Sequence, residues 1–259
     1  KHGVAAKILL ASSFASVLVD VCDKLPFFLH LFGGSGAGKT VGLMLAASVW
    51  ANPAIGKYIH NFNSTQVAQE LSAGFVNSMP LLLDELQIIK DRKSFDDIIY
   101  QLSQGEGRLR GQKTGGLQKT MTWKNCILTT GENPIASEIS GAGAMNRVIE
   151  IDCKDMKIFK DPVGAVEFLK DNYGFAGRLF VEWLQDEKNK DKVKTMQKQY
   201  QDILSYCDTT DKQASSASLI LTADTIITEM FFNNEDILSV EELSEFLLSK
   251  KAVSINDRA

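Results

Sequence analysis

The sequence predicts an α/β fold: a five-stranded, mostly parallel sheet built around a glycine-rich loop, a β-hairpin inserted ahead of the fourth strand, and an all-helical C-terminal part. Three observations carry that expectation. The apolar run FFLHLF leads into GGSGAGKT at residues 33–40 and then into an amphipathic stretch, a strand–loop–helix order in which glycines permit a tight backbone turn. A second apolar run, PLLL at 80–83, delivers Asp84 and Glu85 at its end. After Pro162 the apolar residues recur three and four apart, which is helical spacing. We therefore expect a core over 1–160 that includes an N-terminal helix, a helical lid over 161–250, and a linker-like tail over 251–259.

In chain order, Val4, Ile8, Phe14, Val17, Leu18 and Val21 mark a helix over 3–22. The helix after the loop runs to about residue 51 and stops at Asn52-Pro53. Residues 57–62 read as a short strand, and Asn63-Ser64-Thr65 as the cap of a helix ending near 75. Phe95, Ile98, Ile99 and Leu102 share one face of a helix over 94–104. Residues 105–125 hold a turn at Lys113-Thr114-Gly115-Gly116 with extended flanks, a hairpin pattern. Strands follow at 126–130 and 147–152. Three helices precede a polar loop over 208–218, and a fourth begins at Leu219. Ser239 and Glu242 form a capping box for a fifth.

Composition narrows the classes. The 259 residues are 44% hydrophobic with a formal net charge of −4, enough for one large core, and the surface as a whole does not advertise nucleic acid. Cys22, Cys126, Cys153 and Cys207 form no C-x-x-C pair, which reads as reduced thiols and argues against zinc. The stretch 8–21 is apolar but carries Ser12, Ser13, Ser16 and Asp20. No run reaches bilayer-spanning length and no signal peptide is evident, so we expect a packed helix, a cytoplasmic protein and no membrane partner. The chain lacks an initiator Met and reads as part of a longer protein.

The loop at 33–40 matches G-x-x-x-x-G-K-[ST], the Walker A pattern. Its amides (Gly33, Gly34, Ser35, Gly36, Ala37, Gly38) can cradle phosphates at a helix N-terminus. Lys39 reaches the β- and γ-phosphates of ATP, and the Thr40 hydroxyl can ligate Mg²⁺. The strand ending Asp84-Glu85 has the Walker B pattern: Asp84 for the Mg²⁺ shell, Glu85 to polarise the attacking water. Between 106 and 124 the chain carries Arg108, Arg110, Lys113, Lys119, Lys124 and one acid, a segment of +4 on a remainder of −8. Such a local footprint fits a DNA backbone. Trp123 either stacks on a base or packs beneath the hairpin, and packing is the commoner fate of such an aromatic.

This compact order of loop, acidic strand, hairpin, polar-tipped strand and Arg strand resembles the AAA+ ATPases and, among them, the superfamily 3 helicases, which carry a DNA-binding hairpin before the sensor strand. It is most similar to the domain of unknown function 927 family of phage and mobile-element primase–helicases. The residues that carry this are GGSGAGKT, LAASVWANP at 45–53, FNST at 62–65, LLLDE at 81–85, TTGENP at 129–134 and YGFAGRLFVEWL at 173–184. The resemblance covers about residues 3–186. It implies a nucleotide sensor at the tip 130–133, an arginine finger at Arg147 acting on a neighbouring subunit, and a nucleotide contact from Arg178. Superfamily 3 sensor strands end in Asn directly after Thr-Ser. Here Gly131 holds that place, which leaves the sensor open among Thr130, Glu132 and Asn133.

The expected function is an ATP-dependent helicase motor that hydrolyses ATP with Mg²⁺ at the interfaces of a homo-oligomeric, hexameric ring and moves on single-stranded or forked DNA. A primase domain elsewhere in the full-length chain fits the same picture. The alternative is a protein-remodelling or loader ATPase, whose aromatic–hydrophobic–Gly pore loop is absent from Asn61-Phe62-Asn63-Ser64-Thr65. A non-catalytic nucleotide switch is disfavoured by Glu85, and a small-molecule kinase by the adjacent carboxylates.

Overall fold

The structure is a computed structural model that describes residues 3–62, 65–86, 92–111, 119–135, 142–233 and 236–250. In chain order the elements are α1 (Val4–Val21), β1 (Phe27–Phe32), α2 (Lys39–Ser48), β2 (His60–Asn61), α3 (Gln66–Val76), β3 (Leu81–Asp84), α4 (Arg92–Leu102), β4 (Cys126–Thr130), α5 (Ala142–Met145) and β5 (Val148–Asp152). They continue with α6 (Pro162–Asp171), α7 (Phe175–Leu184), α8 (Glu187–Ser205), α9 (Asp211–Ile227), a π-helical turn (Thr228–Phe232) and α10 (Val240–Ser244).

The five strands form one sheet in the order β2-β3-β4-β1-β5, and every pairing is parallel. Parallel strands are covered on both faces, so they read as unbroken apolar runs in sequence. The strand period of two divides them here. Phe27, Leu29 and Leu31 face one core with α1, α2 and α9, while Phe28 faces a second with residues of α3 and α4. Because β4 lies between β1 and β3, the C-terminal ends of these three strands sit side by side.

Helix α1 departs from the expectation that no run reaches bilayer length: by length and composition it is apolar enough to cross a membrane, with a mean hydropathy of 1.8. It is instead a core helix, two-thirds buried and packed on α9 and α2. Two of its three serines, Ser13 and Ser16, are hydrogen-bonded inside the molecule, while the buried Ser12 hydroxyl has no partner among the described residues. Ser13 Oγ donates to Ala46 O at 2.7 Å and accepts from Trp50 Nε1 at 2.9 Å. Ser16 Oγ donates to Ser78 O and accepts from the Cys126 amide.

The polar stretch 208–218 is not a loop beyond residue 210. Thr210 caps α9, its hydroxyl accepting from the Gln213 amide. The hydroxyls of Ser216, Ser218 and Thr222 bond carbonyls three and four residues back, and the Gln213 amide group reaches Val148 O at 2.6 Å. These polar residues are buried with their partners inside or beneath the helix, which hydropathy alone does not distinguish from a solvated loop. The capping box at Ser239 and Glu242 forms as expected. The base of the hairpin is present: Glu106 bridges Thr122 antiparallel, and Gly107 N donates to Met121 O at 2.8 Å. The expected turn at Lys113–Gly116 lies outside the described residues.

Candidate active site

The glycine-rich loop leaves β1 at Gly33, whose φ of +127° favours glycine. A Cβ there would stand 2.9 Å from the Lys154 amide nitrogen, so a side chain would displace the backbone after β5. Gly38 takes φ +90° as the N-cap of α2, which turns the free first-turn amides of that helix toward a cavity of about 450 Å³. Ser35, Gly36, Lys39 and Thr40 line one wall, and Asp84, Glu85, Thr130 and Glu132 the other.

Lys39 Nζ donates to Gly33 O at 2.6 Å and Gly34 O at 2.9 Å, so the ammonium is curled onto its own loop. Opposite it, the Thr40 hydroxyl donates to Asp84 Oδ2 at 3.2 Å. The Thr130 hydroxyl donates to Asp84 Oδ1 and accepts from the Glu85 amide at 3.2 Å. Two hydroxyls, from α2 and β4, thus meet at one buried carboxylate at the end of β3. That donor set suits a hard cation such as Mg²⁺, and the glycine loop with Lys39 suits a polyphosphate. Glu85 has left the strand, with φ +62°, and its carboxylate accepts from Asn61 Nδ2 at 3.1 Å. Parallel pairing of Asn61 with Asp84 sets that contact.

The expected phosphate-loop residues, Asp84, Glu85 and Thr130 therefore come together. Of the open sensor candidates, Thr130 and Glu132 line the cavity. Asn133 offers its backbone carbonyl to His30 Nε2 at 3.0 Å instead. Arg178 is not brought to the cavity. Gly174 N and Gly177 N bond the carbonyls of Ser48 and Val49 at the far end of α2, about 15 Å from the loop at 1.5 Å per residue. Arg178 there is exposed and pairs with Glu182 at 2.8 Å. Arg147 lies at the opposite end of the sheet, where its carbonyl accepts from the Phe28 amide, about 16 Å of strand from Gly33. Its Nη1 donates to Ser103 Oγ at 3.1 Å, and its guanidinium lies 5.4 Å over the Tyr100 ring.

The hairpin charges divide. Arg108 and Lys119 are exposed. Arg110 reaches inward to Glu70 Oε2 at 2.6 Å, and Lys124 pairs with Asp20 and Asp23. Burial works against the Glu70 charge, but hydrogen bonds from Arg110 and Gln101 more than offset it and hold the carboxyl below its ordinary value. Lys113 lies outside the described residues. Trp123 is 1% exposed and donates to Leu102 O at 2.7 Å, so it packs beneath the hairpin rather than stacking on a base.

Sequence reasoning missed Asn61, His30 and Glu150. The signal for Asn61 is a polar residue ending the strand beside the Asp84-Glu85 strand. For His30 it is a polar residue within an otherwise apolar buried run.

Comparison with known proteins bears on the fold. The family model described as domain of unknown function 927 matches residues 3–123. A solved structure described as SCCmec type IV Cch, an active helicase, has the same fold, with a TM-score of 0.69 at 19% identity. The likeness covers 99% of this chain and 47% of that one, so the chain spans about half the length of that structure. No curated protein matches the sequence.

Proposed function

We propose that this chain is the ATP-hydrolysing motor of a mobile-element replication helicase, moving on single-stranded DNA as a ring of identical subunits. The reading rests on one observation above the others: Thr40, Asp84 and Thr130 converge opposite Lys39, with Glu85 presented beside them. The family match and the likeness to a helicase structure support it.

The loop amides and Lys39 would bind the triphosphate, Lys39 leaving the carbonyls of Gly33 and Gly34 to neutralise it. Thr40 and Asp84 would hold Mg²⁺, which when bound supplies charge neutralisation of the phosphates. Glu85, carried off the strand and steadied by Asn61, would take the proton of the attacking water. Thr130 ties the Asp84 carboxylate to the Glu85 backbone, so cation ligand and base keep a fixed relation. Arg147 would act in trans on the nucleotide of a neighbouring copy. Arg108 and Lys119 would hold DNA phosphates.

The test is the ATPase rate with and without single-stranded DNA, measured alongside molecular mass. Stimulation by DNA in an oligomer supports the helicase motor. Hydrolysis without any response to DNA favours the protein-remodelling alternative, and absence of hydrolysis rejects both.

A further inference from the structure

A row of side chains crosses the sheet just below the cavity. Parallel register aligns Leu83 with Thr129, Thr129 with His30, and His30 with Glu150. His30 is 0% exposed in the centre of β1. Its Nδ1 lies 2.9 Å from Thr129 Oγ1 and its Nε2 lies 3.0 Å from the Asn133 carbonyl oxygen. A carbonyl only accepts, so Nε2 carries the proton and Nδ1 accepts from the threonine hydroxyl. One strand further, Glu150 Oε1 accepts from the Ile135 amide. The segment is also fixed at its start, where the Gly131 amide donates to Leu31 O at 2.9 Å. A Cβ on Gly131 would stand 3.0 Å from His30 Cε1, so the chain passes directly over the imidazole.

We propose that His30 and Glu150 are positioning residues that clamp segment 131–135 from beneath and thereby hold Thr130 and Glu132 against the phosphate cavity. This deepens the ATPase reading and rests on it for the consequence in turnover. Neither side chain lines the cavity among the described residues. They act through the backbone of the segment: His30 on the Asn133 carbonyl, Glu150 on the Ile135 amide. Burial pushes the His30 imidazole down to about 4, against the two hydrogen bonds, which favour the charged form. The ring is therefore neutral at physiological pH, and its tautomer is fixed by its partners. A charged imidazole would carry a proton on both nitrogens.

The experiment compares His30→Phe, His30→Gln and Glu150→Met with the parent. Phe keeps ring volume and removes both hydrogen bonds. Gln places an amide N–H near the position of Nε2 and restores the bond to Asn133. Glu150→Met removes the acceptor for Ile135 at similar volume, and it carries the question if His30→Phe does not fold. Backbone amide exchange of Ile135, read by NMR, is expected to quicken at least tenfold in His30→Phe and Glu150→Met. In His30→Gln it is expected to stay within about threefold of the parent. ATP turnover is expected to follow the same order, with kcat down about tenfold and KM within twofold, because loop-amide binding of phosphate is untouched. Unchanged Ile135 exchange in folded His30→Phe or Glu150→Met overturns the clamp. So does equal loss of kcat in the Phe and Gln variants. If the parent binds nucleotide without hydrolysing it, the ATPase reading falls, and amide exchange alone decides the clamp.

Discussion

Lys39 and Glu85 stand on opposite walls of one cavity, and the roles proposed for them separate cleanly. Lys39 is the cation aimed at the loop; replacing it by Ala removes the charge that offsets a polyphosphate, so tight ATP binding should be lost. Glu85→Gln keeps the shape and the bond from Asn61 while removing the base. Nucleotide affinity should stay within a few-fold of the parent, while kcat falls about 10²–10⁴-fold, the usual weight of a positioned base. Fluorescent-nucleotide binding and steady-state ATPase assays read the two effects apart, and equal turnover in Glu85→Gln and the parent would remove Glu85 from the chemistry. Both residues are legible in sequence because Lys39 and Thr40 sit in a Walker A spacing and Asp84-Glu85 closes an apolar strand. Asn61, His30 and Glu150 are not legible in that way. Each acts across strands that are distant in sequence, and only the register brings Asn61 beside Asp84 or His30 beside Glu150. Arg178 shows the converse: the motif around it is visible, but the docking of α7 on the far end of α2 carries it away from the loop.

At the scale of the element, the hairpin base separates charges that look alike in sequence. Arg108 and Lys119 point to solvent, whereas Arg110 is engaged with Glu70, whose side chain is 3% exposed. Alanine at Arg108 or Lys119 should weaken single-strand binding on every sequence and flatten its salt dependence by about 0.7 for each phosphate that is no longer neutralised. Arg110→Ala should instead lower the melting temperature, because it leaves Glu70 buried without its cation. DNA titrations at several salt concentrations and thermal melts distinguish the two classes; salt slopes unchanged in both the Arg108 and Lys119 variants would take the hairpin base out of DNA binding. Glu70 adds a pH signature. Its folded-state carboxyl lies below the ordinary value of 4.5, so its contribution is present above that value and is lost as pH falls through the folded one. The gap in melting temperature between the parent and Glu70→Gln should accordingly be wider at pH 7 than at pH 3.5. An equal gap at both would show that the ion pair stabilises nothing. The helix and strand pattern of this region was readable from periodicity. Which arginine faces inward was not, since it depends on α3 and α4 supplying a buried carboxylate and Gln101 beneath the hairpin.

The whole molecule sets Arg147 apart from the site that its own chain builds. The phosphate loop leaves the C-terminal end of β1, and Arg147 precedes β5 at the other end of the same parallel sheet, so no side-chain rotation carries it to its own cavity. Its guanidinium is also not fully paired among the described residues. Among the described residues its Nη1 bonds Ser103, its guanidinium lies over Tyr100, and its buried Nε has no hydrogen-bond partner. A cation over an exposed ring is worth about 0.5–1 kcal/mol, and an incoming phosphate would give the unpartnered Nε an acceptor. Gln213 of α9 bonds the carbonyl of Val148, the next residue, which fixes the backbone that presents Arg147. If two copies associate with this end of one against the phosphate loop of the other, the Arg147 guanidinium on its fixed backbone would supply charge in trans. Arg147→Ala should then lower kcat by about 10³–10⁵-fold, the range for an arginine finger, without loss of nucleotide binding. Lys39→Ala protein should be inactive for the opposite reason, since it offers a finger but binds no nucleotide. Mixing the two should regain activity, because some interfaces then pair an intact loop with an intact Arg147. The mixture is read by steady-state ATPase after subunit exchange has been shown by native mass spectrometry. Exchange without recovered turnover would place Arg147 in a structural role at the base of the sheet.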